Sequence, residues 1–136
     1  MTMVLRWALA LLGILVSLVI AGLLGGLTAE LVGLWHLLGV GFGAAFAVVV
    51  VAYLAAPNHR ICAAVVALAL GAIAAWLLLE PSFYPESYGA ARAYEPTHLP
   101  IAVTYVGGLL GLLVATLIRR RSGPNHSFKA DGCAAA

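Results

Sequence analysis

The chain has 136 residues and a formal net charge of +2; 64% of it is hydrophobic, only 9% is charged, and its mean hydropathy is +1.08. A soluble domain carries about 25% charged residues, so a chain this poor in charge cannot cover a water-facing surface, and a soluble globular domain is excluded. Its few basic residues form no patch interleaved with aromatics, which excludes a nucleic-acid-binding surface as well.

Taken in order, the first apolar run covers about Val4–Leu27, with Arg6 and Trp7 at its start. Its "GLTAE" end looks like a cleavage site, but a signal-peptide core is only about 7–15 residues long, so the run is read as a retained helix. After "AELVGLWH", with Glu30, Trp35 and His36, comes a second run at about Leu34–Ala56. "PNHR", residues 57 to 60, makes a tight turn into a third run at about Ile61–Leu79. The fourth run is about Leu99–Ile118, followed by Arg119, Arg120 and Arg121. Each run approaches the ~20 residues that a helix needs to cross the hydrocarbon core. None alternates as a barrel strand does, so each is expected to be a helix with internally satisfied backbone. Residues 122–136 are a polar tail. Its "CAAA" ending formally fits a prenylation box at Cys133, but is read as an Ala-rich end.

The expected fold is all-α: an antiparallel bundle of four transmembrane helices in residues 1–121. Arg6, Arg60, Arg119, Arg120, Arg121 and Lys129 all fall on one side of such a bundle. The positive-inside rule makes that side the cytoplasm, with both termini inside, in a bacterial inner membrane. Cys62 and Cys133 fall on the same side, where thiols stay reduced, so no structural disulfide is expected. The opposite side carries Glu30, Glu80, Glu86 and Glu95 against a single cation, Arg92.

"EPSFYPESYGAARAYEPTHLP", residues 80 to 100, is the outer loop between the third and fourth helices. Pro85 followed by Glu86 suits a helix start, so "PESYGAARAYE" is expected to form a short helix on the membrane surface. Tyr88 would then face Arg92, and Arg92 would face Glu95. Three tyrosines among rigid prolines suit either interfacial anchoring or protein contact. Tyr84, Tyr88, Arg92 and Tyr94 are therefore the candidate partner-contact residues of the loop. Trp7, Trp35, Trp76, Tyr53 and Phe83 read as an aromatic belt.

Small residues let membrane helices approach closely. Each run has a track of them: Gly22 and Gly26; Gly39 and Gly43; Ala63, Ala67, Gly71 and Ala75; Gly107 and Gly111. Most of these tracks hold the bundle together. One spare face is expected to meet a partner helix, with Gly71, Gly107 and Gly111 as its candidates.

Chemistry is sparse. No ionisable residue lies in the middle of a span, where transporters and pumps usually carry one. There is no paired cysteine motif, HExxH, Walker loop or GxSxG. His36 and His98 enter the membrane from the same side, with Glu30 and Glu95 just before them. Interhelical histidine pairs ligate haem, and His with carboxylate ligates zinc or copper, so His36 and His98 form the one candidate metal or haem site. The leading expectation is a non-catalytic accessory subunit, without cofactor, of a larger membrane complex, surrounded by lipid. The alternatives are a haem- or metal-binding electron carrier and a small oligomeric channel or transporter.

Overall fold

In a computed structural model the chain is described over residues 3–56, 58–80, 82–88 and 90–121. Four helices dominate: α1 (Met3–Leu31), α2 (His36–Ala55), α3 (Arg60–Leu79) and α4 (Leu99–Arg121). All four are long and apolar enough to cross a membrane. A tail after residue 121, with Cys133, lies outside the described residues.

The helix ends follow local chemistry. α1 runs four residues past its expected end, through "TAEL", because nothing there breaks a helix. It stops at Gly33, which takes a left-handed φ of 77°. The Gly33 N–H then bonds to the Glu30 carbonyl and the Leu34 N–H to the Ala29 carbonyl, at 2.9 and 2.7 Å. This is the Schellman pattern, and glycine fits its left-handed position without steric cost. α2 ends before Pro57 and α3 before Pro81, with Ala56 and Glu80 in extended conformations. A residue preceding proline is pushed out of the helical region. α4 takes Pro100 in its first turn, where no backbone N–H is needed. It ends on Arg119, Arg120 and Arg121, cations that complement the negative helix terminus.

α2 is the hub. On one side it meets α1 along a seam of glycines. A Cβ at Gly25 would overlap the Gly39 carbonyl, and one at Gly43 would lie 2.5 Å from the Ala21 carbonyl oxygen. Gly25 pairs with Gly39 and Ala21 with Gly43, so the two helices run in opposite directions. On its other side α2 meets α4. A Cβ at Gly107 would lie 2.6 Å from the Phe42 carbonyl oxygen, and one at Gly111 would lie 2.8 Å from that of Phe46. Four steps forward on α4 match four steps forward on α2, so this pair runs in parallel. α3 packs more lightly against α2 and α4. Its Leu68 covers Gly108, and its Ala72 carbonyl accepts the Tyr105 hydroxyl at 3.3 Å.

The core lies toward the arginine-rich end, where Val49, Tyr53, Ala64 and Ala115 are buried together. Tyr53 thus belongs to the core; the aromatic-belt expectation for it is corrected, because α3 and α4 close over its ring. Trp7 and Trp76 are exposed, as belt residues would be. Ser17, Thr104 and Thr116 donate to the carbonyls of Ile14, Pro100 and Leu113 in their own helices at 2.7–2.8 Å, the usual way for a hydroxyl to be satisfied within an apolar helix. Cys62 lies in the first turn of α3, and the expectation of two reduced cysteines turns on Cys133, which falls outside the described residues.

Candidate functional site

The segment between α3 and α4 is a small hairpin. β1 (Ser82–Phe83) pairs antiparallel with β2 (Pro96–Thr97), Ser82 opposite Thr97 and Phe83 opposite Pro96. The Tyr84 N–H continues the pairing to the Glu95 carbonyl at 3.2 Å, and the Tyr94 N–H returns to the Tyr84 carbonyl at 3.0 Å. Two single 3-10 turns, Glu86–Tyr88 and Ala90–Arg92, fill the tip. The expected surface helix is therefore replaced by a strand-closed loop. Pro85 and Pro96 bracket too few residues for a stable helix, and pairing of the loop's two ends fixes their separation instead.

The tyrosines divide. Tyr84 turns inward and packs its ring on Trp35 at the start of α2, centroids 5.8 Å apart. That contact fastens the hairpin to the α1–α2 end of the molecule. Tyr94 turns outward. It is 67% exposed and sits at a left-handed φ of 65°, uncommon for a residue with a Cβ. Its hydroxyl donates to Glu86 Oε1 at 2.8 Å. Accepting that bond, the Glu86 carboxylate raises the Tyr94 hydroxyl above the ordinary tyrosine value. Arg92 is exposed and makes no ion pair among the described residues, so the expected Arg92–Glu95 pairing does not form. Tyr88 closes the first 3-10 turn, and its side chain lies outside the described part.

His36 and His98 are both at the hairpin end, but they are used differently. The His36 ring lies over Gly26, where a Cβ would fall 2.8 Å from each ring nitrogen. His36 Nδ1 is 3.0 Å from Glu30 Oε1, an ion-pair distance if the ring is protonated. The side chain as a whole is partly exposed, yet Nδ1 itself is enclosed and off the line of a hydrogen bond. His98 is exposed and takes part in no side-chain bond among the described residues. His36 therefore engages Glu30 and the α1 backbone. Among the described residues no group of three or more His, Cys, Asp and Glu side chains could hold a metal ion.

The glycine tracks also divide. Gly107 and Gly111 are buried against α2, which corrects their assignment to a partner surface: the chain's own second helix covers them. Gly71 is the opposite case. It is exposed, and a Cβ there would meet nothing within 4 Å. It borders an apolar groove whose walls include Leu18 of α1, Val40 and Ala44 of α2, and Ala67 and Ala75 of α3. The sequence did not single out Gly25, which makes the tightest α1 contact. The signal available was its glycine neighbour Gly26, which is used to seat His36.

No protein-family model, curated protein or solved structure matches this chain.

Proposed function

We propose that this chain is a non-catalytic, multi-pass membrane subunit of a larger complex. Its arginine-rich end and both termini would face the cytoplasm, and its hairpin end would lie outside. The observation that carries this reading is Gly71. In a helix interior glycine costs about 1 kcal/mol relative to alanine, and smallness is useful where another backbone approaches. No described residue comes within 4 Å of a Cβ placed at Gly71, while the half-buried Ala67 and the buried Ala75 continue a small-residue strip along the same groove. A partner helix lying along α3 gives that strip a use. The hairpin supports the same reading: Tyr84 holds it in place, and Tyr94 and Arg92 are presented outward.

The test is solubilisation of native membranes in a mild detergent, followed by a native gel. The wild-type chain should migrate with larger subunits. Gly71→Leu should keep its helix content but leave the complex, because a Cβ there meets no described residue within 4 Å and the rest of the side chain fills the groove. A leucine variant that assembles as well as the wild type removes the basis of this reading.

A further inference from the structure

The hairpin end has a second property, its charge. Glu80 closes α3, Glu86 lies in the first 3-10 turn and Glu95 precedes β2; all three are exposed. The only lysine or arginine at this end is Arg92, which pairs with none of them among the described residues. Among the described residues no lysine or arginine neutralises these carboxylates, and the same end of the molecule shows two aromatic rings, Phe83 at 50% and Tyr94 at 67% exposure. Backbone pairing, the Tyr84–Trp35 contact and the Tyr94–Glu86 bond hold this arrangement in place.

Resting on the subunit reading above, we propose that the hairpin end docks on a basic extramembrane segment of a partner protein, one that presents lysine or arginine to Glu80, Glu95 and the rings of Phe83 and Tyr94. Charge complementarity selects this occupant. Carboxylates repel the anionic headgroups that attract basic membrane-binding segments, so a lipid surface has the wrong sign. A cation suits both features present, since it pairs with a carboxylate and is attracted to an aromatic face within about 6 Å. An ordered surface also loses less entropy on binding than a loose loop.

The experiment uses Glu80→Gln combined with Glu95→Gln. Neither side chain makes a bond within the described residues, so the variant keeps the fold, which circular dichroism verifies. Complexes are extracted in mild detergent at salt concentrations from roughly 0.05 to 0.5 M, a range over which the screening length shortens from about 14 Å to about 4 Å. The fraction of chain retained in the complex is then read on native gels. The wild-type dissociation constant should rise about tenfold across that range. The double variant should bind about tenfold more weakly at low salt and lose most of the salt dependence. If the chain migrates alone at every salt concentration, the subunit reading fails and this inference falls with it. If it migrates in a complex that neither salt nor the double substitution alters, the subunit reading stands, this inference is overturned, and the membrane surface remains as what the hairpin meets.

Discussion

Gly39→Ala is the substitution that separates a glycine used for packing from one that is merely present. A Cβ at Gly39 would overlap the Gly25 carbonyl oxygen, and would lie 2.6 Å from Ala29 Cβ and 2.7 Å from the Gly25 carbonyl carbon. Non-bonded carbons rest about 3.5–4.0 Å apart, so α1 and α2 must part by about 1 Å. No side chain can swing aside, because the obstacle is backbone. The gain in helix propensity is about 1 kcal/mol at most. Overpacking costs about 1–3 kcal/mol, and parting the helices also loosens the Gly43–Ala21 contact on the same seam. The net should be a destabilisation of about 1–2 kcal/mol. Gly13→Ala is the control, since a Cβ there meets nothing within 4 Å, so it should be neutral or slightly stabilising. The assay is reversible unfolding in mixed micelles with increasing SDS fraction, followed by helix content. If Gly39→Ala and Gly13→Ala unfold at the same SDS fraction, the glycine seam does not hold α1 to α2.

Tyr84→Ala removes the ring that rests on Trp35 and should free the hairpin at a loss of about 0.5–1.5 kcal/mol, read as faster protease cutting between residues 82 and 97. Tyr84→Phe keeps the ring contact and should match the wild type. For Tyr94, the raised value means that the folded state favours the neutral phenol. Its contribution is therefore present below the unfolded tyrosine value of about 10 and is lost as pH rises through the higher folded value. Ultraviolet titration should show Tyr94 ionising after an ordinary exposed tyrosine; Tyr94→Phe should remove that late step, and Glu86→Gln should bring it earlier. An unchanged titration in Glu86→Gln would mean that the carboxylate does not hold the hydroxyl in solution.

The helices were legible because an apolar run of bilayer length has few other uses, and Pro57, Pro81 and Pro100 mark three of the boundaries. The end of α1 was not, because "TAE" reads as polar while the helix is stopped further on, by the left-handed Gly33. Helix faces were harder. Where nearly every residue is apolar, there is no polar stripe to distinguish the inside from the outside of a helix. The sequence could offer Gly22 and Gly26 as a track, but it could not show that Gly25 meets the Gly39 backbone. It could not show either that Gly107 and Gly111 are covered while Gly71 is bare. The hairpin failed for a different reason. Local spacing in "PESYGAARAYE" favours a helical reading, whereas the structure depends on residues 82 and 83 meeting residues 96 and 97, a pairing that no short window contains. For the candidate site, sequence identified Tyr84, Arg92, Tyr94 and His36 as notable, but not that Tyr84 and His36 face inward.

The helices divide the labour of packing, and the groove beside Gly71 lies along α3. α2 presents close-approach surfaces on two sides, through Gly39 and Gly43 toward α1 and through the Phe42 and Phe46 backbone toward α4. Those contacts place backbone against backbone and leave little room for rearrangement. α3 is attached by softer means: a leucine side chain over Gly108 and one long hydroxyl bond from Tyr105. Its buried residues are only Ala64 and Ala75, one toward each end, and its middle, at Gly71, is bare. In lipid, contact with hydrocarbon costs an apolar helix little, so the bundle loses little by leaving that face open. A partner helix that fits the small residues gains close packing there without displacing any contact of this chain. α2 holds α1 and α4 by backbone contacts, while α3 joins α2 and α4 in the core through Ala64 and borders the groove at Gly71. The hairpin follows directly from α3, so the partner helix proposed for the groove would lie alongside the carboxylates and rings at its end.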